Sequence, residues 1–302
     1  MDKIRKILPP PEVNFVVYHG NCSDGFASLL VAYNQNKNIQ QYKGIFKKEQ
    51  QDTELLDIIE QKKSRGESVN MLIADFSYSR EFMQKLNSVC NKMVILDHHI
   101  TAQEALKNLD FCYFDQNKSG CTITWEYFNY DKELPLLLKM IEDRDLWKWR
   151  TLNSREFTTA FYSTIPFDLD RYNEFIEHPG LIDEYIKSGK ILMKYIQAQN
   201  EMLLKSTKFI TTRSAFKIGI INLGGNGSDY GEFISTSYAD FSIYWSYDHF
   251  ASIIRVSIRS DKEKTNDCSK LAKMFNGGGH VNASGFVWDK SIGELIERIL
   301  QV

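Results

Sequence analysis

Short runs of consecutive apolar residues recur through the first hundred positions, and stretches with apolar residues three and four apart separate them. Asn14-Phe15-Val16-Val17-Tyr18, Met71-Leu72-Ile73-Ala74 and Met93-Val94-Ile95-Leu96 are short and almost wholly apolar, which predicts strands buried on both faces. Phe26 to Tyr33 and Arg80 to Cys90 carry helical spacing. Strands alternating with helices imply right-handed crossovers and a largely parallel sheet covered on both sides. Pro9-Pro10-Pro11 cannot sit inside a helix and reads as an extended lead-in, so the first domain is expected to start near residue 13.

From Ser119 to Trp149 the pattern is mainly helical, and Leu181 to Lys208 reads as one long helix rich in Lys, Gln and Glu. Beyond it, Phe216 to Leu223, Phe241 to Tyr247 and Ser252 to Ile258 are β-rich. Ser228 to Tyr238, Asp267 to Phe275 and Ile292 to Leu300 have helical spacing. The expected fold class is α/β: a parallel-sheet domain over residues 13–180, a linker helix over 181–208 and a smaller mixed α/β domain over 209–302.

Composition narrows this little. The 302 residues are 43% hydrophobic, ample for packed cores. Five scattered cysteines with no CxxC pair argue against a disulfide framework or zinc knuckle and for a reducing compartment. No apolar run has the length of a signal peptide or a membrane span, so a cytoplasmic protein without membrane contact is expected. A formal charge of −2 offers no bulk attraction to a long polyanion, and Lys43, Lys47, Lys48, Lys62 and Lys63 read as an ordinary solvated surface. A nucleic-acid substrate would then be short.

In open α/β sheets, functional groups gather at the carboxyl ends of the strands. His19 to Asp24 follow the first predicted strand, Asp75 the second, and Asp97-His98-His99 the third. Taken singly, each has a plain structural reading. Asp75 could cap the helix after Ser77 and Ser79, His19 could be a hydrogen-bonded interior histidine, and Asp143 and Asp145 could lie on a solvated helix face. Jointly they favour a metal or phosphate site, because capping alone would not place carboxylates and histidines at three separate strand ends. Oxygen-rich sites that include histidine suit Mn²⁺, and paired ions can activate water for displacement at phosphorus.

Val94-Ile95-Leu96-Asp97-His98-His99 resembles the signature of the DHH phosphoesterase superfamily, which includes RecJ exonucleases, nanoRNases, cyclic-dinucleotide phosphodiesterases and family II pyrophosphatases. His19-Gly20-Asn21-Cys22-Ser23-Asp24-Gly25 is similar to the first family motif, Asp75 to the second and Asp143 to the fourth. Asn276-Gly277-Gly278-Gly279-His280, followed by Ala283-Ser284-Gly285-Phe286, resembles the glycine-rich motif of the DHH-associated substrate domain. The resemblance runs from about Phe15 to Phe286.

It implies a DHH catalytic domain with His19, Asp24, Asp75, His98 and Asp143 as ligands of two Mn²⁺ ions, with Mg²⁺ or Co²⁺ as substitutes. Asp75 would bridge them, His99 would face the scissile phosphate and Asp97 would orient a histidine; Asp75, Asp97, His98 and His99 form the catalytic set. Asp145 is the alternative to Asp143. Cys22 departs from the family's first motif, where an aspartate stands, and reads either as a soft thiolate ligand or as a small buried residue. Arg259, Gly277, Gly278, Gly279, His280 and His99 are the expected substrate contacts. Ser119 to Thr122 opens a helix and reads as structural.

The expected activity is metal-dependent hydrolysis of short oligonucleotides to mononucleotides, most like the nanoRNase B type. Alternatives are a cyclic-dinucleotide or cyclic-oligonucleotide phosphodiesterase, a 3′-phosphoadenosine 5′-phosphate phosphatase, or a non-catalytic nucleotide sensor. A homodimer is left open.

Overall fold

The computed structural model describes residues 1–45, 49–224 and 227–302, and the chain divides into two compact units, Met1–Met193 and Lys194–Val302. The first unit runs α1 (Asp2–Ile7), β1 (Phe15–His19), α2 (Ser23–Gln35), β2 (Gln40–Gly44), α3 (Glu49–Ser64), β3 (Asn70–Ala74), α4 (Arg80–Val89), β4 (Lys92–Asp97), α5 (Ile100–Ala105) and β5 (Cys112–Phe114). It continues through α6 (Gly120–Phe128), α7 (Leu136–Asp145), α8 (Ser154–Thr164), α9 (Leu169–Glu177) and into α10 (Leu181–Leu204), within which the division between the units falls.

Five strands form one sheet in the order β2-β1-β3-β4-β5, every neighbouring pair parallel. Alternate residues feed opposite faces. Val16, Leu72, Ala74, Val94 and Leu96 join a core with residues of α2, α6 and α7; Phe15, Val17, Met71, Ile73, Met93 and Ile95 join another with Leu55, Ile59, Met83 and Leu86. Burial of both faces is why these strands are continuously apolar rather than alternating. The connections leave β1 towards β2 and β3 towards β4 in opposite directions, so the topological switch point lies between β1 and β3. There the flanking loops diverge and open a crevice at the carboxyl ends.

The expected extended lead-in is corrected: Pro10–Glu12 is a turn of 3-10 helix, where proline at the first position is tolerated, and α1 precedes it. Ile4 and Leu8 are buried in the same core as Val16 and Leu29, so the first unit includes the segment before residue 13. Lys47 and Lys48 lie outside the described residues. Lys62 is largely buried and donates to Glu67 at 2.6 Å. Among the described residues no helix is long and apolar enough to cross a membrane.

The second unit holds the end of α10, then β6 (Lys208–Thr211), β7 (Lys217–Asn222), α11 (Gly227–Ser237), β8 (Phe241–Asp248), β9 (Ile253–Arg259), α12 (Cys268–Lys273), β10 (Gly278–Gly279), β11 (Ala283–Trp288) and α13 (Ile292–Leu300). Its sheet order is β10-β11-β9-β8-β7-β6, antiparallel except for the β7–β8 pair. Ile218, Ile243, Ile258 and Phe286 pack on one face against Leu271, Leu295 and Ile299. Both units together are an α/β architecture with one parallel and one mixed sheet.

Candidate metal centre

The switch point delivers the polar residues. His19 is the last residue of β1, Asp75 follows β3, and Asp97 ends β4 with His98 and His99 next. Asp75 adopts a left-handed backbone (φ 56°), which aspartate tolerates at modest cost, and its N–H donates to Leu96 O at 2.9 Å. It does not cap α4. Ser79 does, accepting from Phe82 N at 3.3 Å, and this leaves the Asp75 carboxylate for the crevice.

Asp75, Asp24 and His98 are each about 1% exposed. Asp75 Oδ2 lies 3.3 Å from His19 Nδ1 and Asp75 Oδ1 lies 3.1 Å from His98 Nε2. Neither oxygen accepts a hydrogen bond of good geometry among the described residues. Around His98 Nε2, Asp145 Oδ2 stands at 3.5 Å and Asp24 Oδ2 at 4.0 Å. The ligand atoms of His19, Cys22 and Asp75 lie within 4.8 Å of one another, as do those of Asp24, His98 and Asp145.

Asp24 is aimed by α6. Gly120 N donates to its Oδ2 at 2.6 Å and Cys121 N to its Oδ1 at 3.0 Å. These N–H groups at the helix start, read from sequence as structural, hold a carboxylate of this chain. Gly120 has no room for a side chain, because a Cβ there would collide with Cβ of Asp75. Asp97 is fully engaged: Ser77 Oγ donates to Oδ2 at 2.6 Å, while His98 N and His99 Nδ1 each lie 2.7 Å from Oδ1.

Asp143 is not brought to this cluster. Its carboxylate accepts from Arg150 N at 2.9 Å, Thr151 N at 3.1 Å and Ser154 Oγ, fastening the end of α7 to the start of α8. Asp145 faces His98 instead. Positions two apart on a helix point about 200° apart, so only one of the pair can face the crevice. The preference for Asp143 over Asp145 is therefore reversed in the geometry. The missed signal is the turn after α7, whose free N–H groups needed a buried acceptor.

Crowding decides the proton balance. Burial alone would favour the neutral acid at Asp75, but His19 and His98 hold its carboxyl well below the usual range. Burial opposes the imidazolium at His98, yet Asp75, Asp145 and Asp24 push its pKa up to about 10. His19 is raised in the same way by Asp75 and Cys22 against the effect of burial. Burial first, and then the neighbouring carboxylates, push Asp24 well up and also raise Asp145. Two carboxylates 4 Å apart repel by roughly 4 kcal/mol at an effective dielectric of 20, so three around one buried point call for a cation. Without one, the histidines retain protons. The oxygen-and-nitrogen donor set and the two unsatisfied oxygens of Asp75 fit divalent ions of the Mn²⁺ class.

In the second unit, Arg259 ends β9 and lies against the first turns of α11. It donates to Ser228 Oγ and Ile258 O, both at 2.9 Å, with its guanidinium 5.4 Å from the Tyr244 ring centre. Gly278 and Gly279 pair with β11, and His280 N donates to Ala283 O at 2.8 Å. A Cβ on Gly277 would collide with the Gly285 carbonyl and one on Gly279 with the Ala283 carbonyl, both in β11, so close packing already requires glycine at both.

No protein-family model matches the chain. Among solved structures, the fold is similar to the DHH domain of a member of the s1p family of ribosomal proteins, with TM-score 0.57, 13% identity and coverage of 100% of this chain and 89% of that one. It is also similar to RecJ from Thermus thermophilus in complex with Mn²⁺, with TM-score 0.53, 10% identity and coverage of 99% of this chain and 54% of that one. The two-unit α/β fold is thus shared with these two structures. In sequence, the chain belongs to the family of "Uncharacterized protein R106" from Acanthamoeba polyphaga mimivirus, to which it is 32% identical over 300 residues, 93% of this chain and 69% of that protein.

Proposed function

We propose that the chain is a divalent-metal-dependent phosphoesterase that hydrolyses short oligonucleotides to mononucleotides, using Mn²⁺ in two adjacent positions. The observation that carries this reading is the convergence of buried Asp24, Asp75 and His98 with Asp145 and His19 at the carboxyl edge of the parallel sheet. His19 and Asp75 would hold one ion, and Asp24, Asp75, His98 and Asp145 the other. Bound there, the ions would supply Lewis-acid stabilisation of phosphoryl oxygens and a water of lowered pKa. The choice of Mn²⁺ draws support from the RecJ structure that shares the fold and holds that ion.

His99, fixed through Nδ1 by Asp97, would present Nε2 to the scissile phosphate. The Arg259 guanidinium, planar and always charged, would bind a phosphate or stack on a base, beside backbone N–H groups at the start of α11. In the same unit as Arg259, the Gly277-Gly278-Gly279-His280 turn, with no Cβ on its three glycines, would let an anionic group approach the backbone closely.

The test is Mn²⁺-dependent hydrolysis of pApA, longer oligoribonucleotides, cyclic dinucleotides and 3′-phosphoadenosine 5′-phosphate. The shortest linear RNA is expected to turn over fastest, with Asp75→Asn and His98→Gln each lowering kcat/KM on the order of 10³-fold. Turnover confined to a cyclic substrate would move the assignment to cyclic-dinucleotide hydrolysis. Tight binding with no turnover of any member would replace the enzyme with a sensor.

A further inference from the structure

We propose that Cys22 is a metal ligand, so that the two ion positions differ in chemical softness: one is built from His19, Cys22 and Asp75, the other from Asp24, Asp75, His98 and Asp145. The inference rests on the metal-dependent reading above and deepens it. Asp75 divides its two buried oxygens between the sets, Oδ2 towards His19 and Oδ1 towards His98, and neither accepts a hydrogen bond of good geometry among the described residues. His19 Nδ1 is likewise buried without one. The Cys22 Sγ is the third donor of the first set, all within 4.8 Å.

Cys22 also occupies a position where cysteine is a poor structural choice. It is the N-cap of α2, with an extended backbone (φ −124°), and its side chain makes no capping bond. Serine, aspartate or asparagine there would cap the helix with a side-chain oxygen. The thiol forms no disulfide. Asn21, in a left-handed turn (φ 60°), and Gly25, where a Cβ would collide with the His19 carbonyl, press the first turn of α2 against the end of β1. Cys22 and His19 are thereby held together.

As the metal–sulfur bond forms, the thiol gives its proton to solvent. A set of one nitrogen, one thiolate and one shared carboxylate favours Zn²⁺ or Co²⁺, whereas the carboxylate-rich set suits Mn²⁺ or Mg²⁺. The first position would then bind Co²⁺ or Zn²⁺ more tightly than Mn²⁺, while the second would accept Mn²⁺ readily.

Cobalt titration of the metal-free, full-length protein reads this without recourse to activity. Two Co²⁺ per chain are expected, with one of them raising a near-ultraviolet thiolate-to-cobalt charge-transfer band. Cys22→Ser should abolish the band and weaken one Co²⁺ by about tenfold or more, while Asp145→Asn and Cys90→Ser should keep it. In the unmodified protein, bound Zn²⁺ should slow alkylation of Cys22 relative to Cys90, read by peptide mass spectrometry, so the result does not depend on the variant folding. Two bound Co²⁺ with no thiolate band, and alkylation of Cys22 indifferent to metal, would overturn the inference while leaving the metal-dependent reading intact. Absence of stoichiometric Co²⁺ binding would sink both.

Discussion

Asp143 and Asp145 stand two positions apart at the end of α7 and have opposite environments. Asp143 satisfies two backbone N–H groups and the Ser154 hydroxyl, so Asp143→Ala would strand one buried and two partly buried donors. It is expected to lower stability by roughly 2–4 kcal/mol, read by denaturant unfolding of the metal-free protein. Asp145 adds a like charge beside Asp24 and Asp75, so Asp145→Asn should leave metal-free stability unchanged or higher and weaken Mn²⁺ binding in calorimetric titration. The reverse pattern would return Asp143 to the ligand set. Most of the candidate cluster was legible at this scale, because His19, Asp24, Asp75 and Asp97-His98-His99 are residues of metal-ligating type near the ends of apolar runs. The choice between Asp143 and Asp145 was not, since it depends on the turn that follows α7, which has no apolar periodicity.

At the scale of elements, the start of α6 holds the Asp24 carboxylate while lying against Asp75. Gly120→Ala would force α6 away from Asp75 and break the two N–H contacts that orient Asp24. The expected outcome is a lower melting temperature together with Mn²⁺ affinity reduced about 10–100-fold, measured by thermal scans and calorimetry. An alanine variant with full affinity would show that α6 does not aim Asp24. The strands β1, β3 and β4 were readable because both their faces are buried. β2 escaped notice because Gln40-Gln41-Tyr42-Lys43-Gly44 is a largely exposed edge, whose sequence carries little apolar signal. β5 is only three residues long, and α1 was hidden behind the prolines although Ile4 and Leu8 have helical spacing.

At the scale of the whole molecule, the proposed metal centre would couple metal binding, protons and stability. In the metal-free protein the His98 pKa is raised to about 10 from an ordinary 6.5, so its stabilisation is complete below about pH 6.5 and lost as pH rises through 10. The raised acids Asp24 and Asp145 act with the same sign. Metal-free melting temperature should therefore fall between pH 7 and 10, while Mn²⁺ binding at pH 7 releases protons and strengthens as pH rises, both checked by scans and titrations in buffers of different ionisation enthalpy. Fold class and the order of most elements in each unit followed from hydrophobic pattern, whereas side-chain direction at the crevice required the packed structure. The most direct test of the metal centre is anomalous diffraction at the manganese edge from Mn²⁺-soaked crystals. A peak among Asp24, Asp75, His98 and Asp145, with a second beside His19, is the predicted result. No peak in the crevice, or a single peak at Asp143, would contradict it.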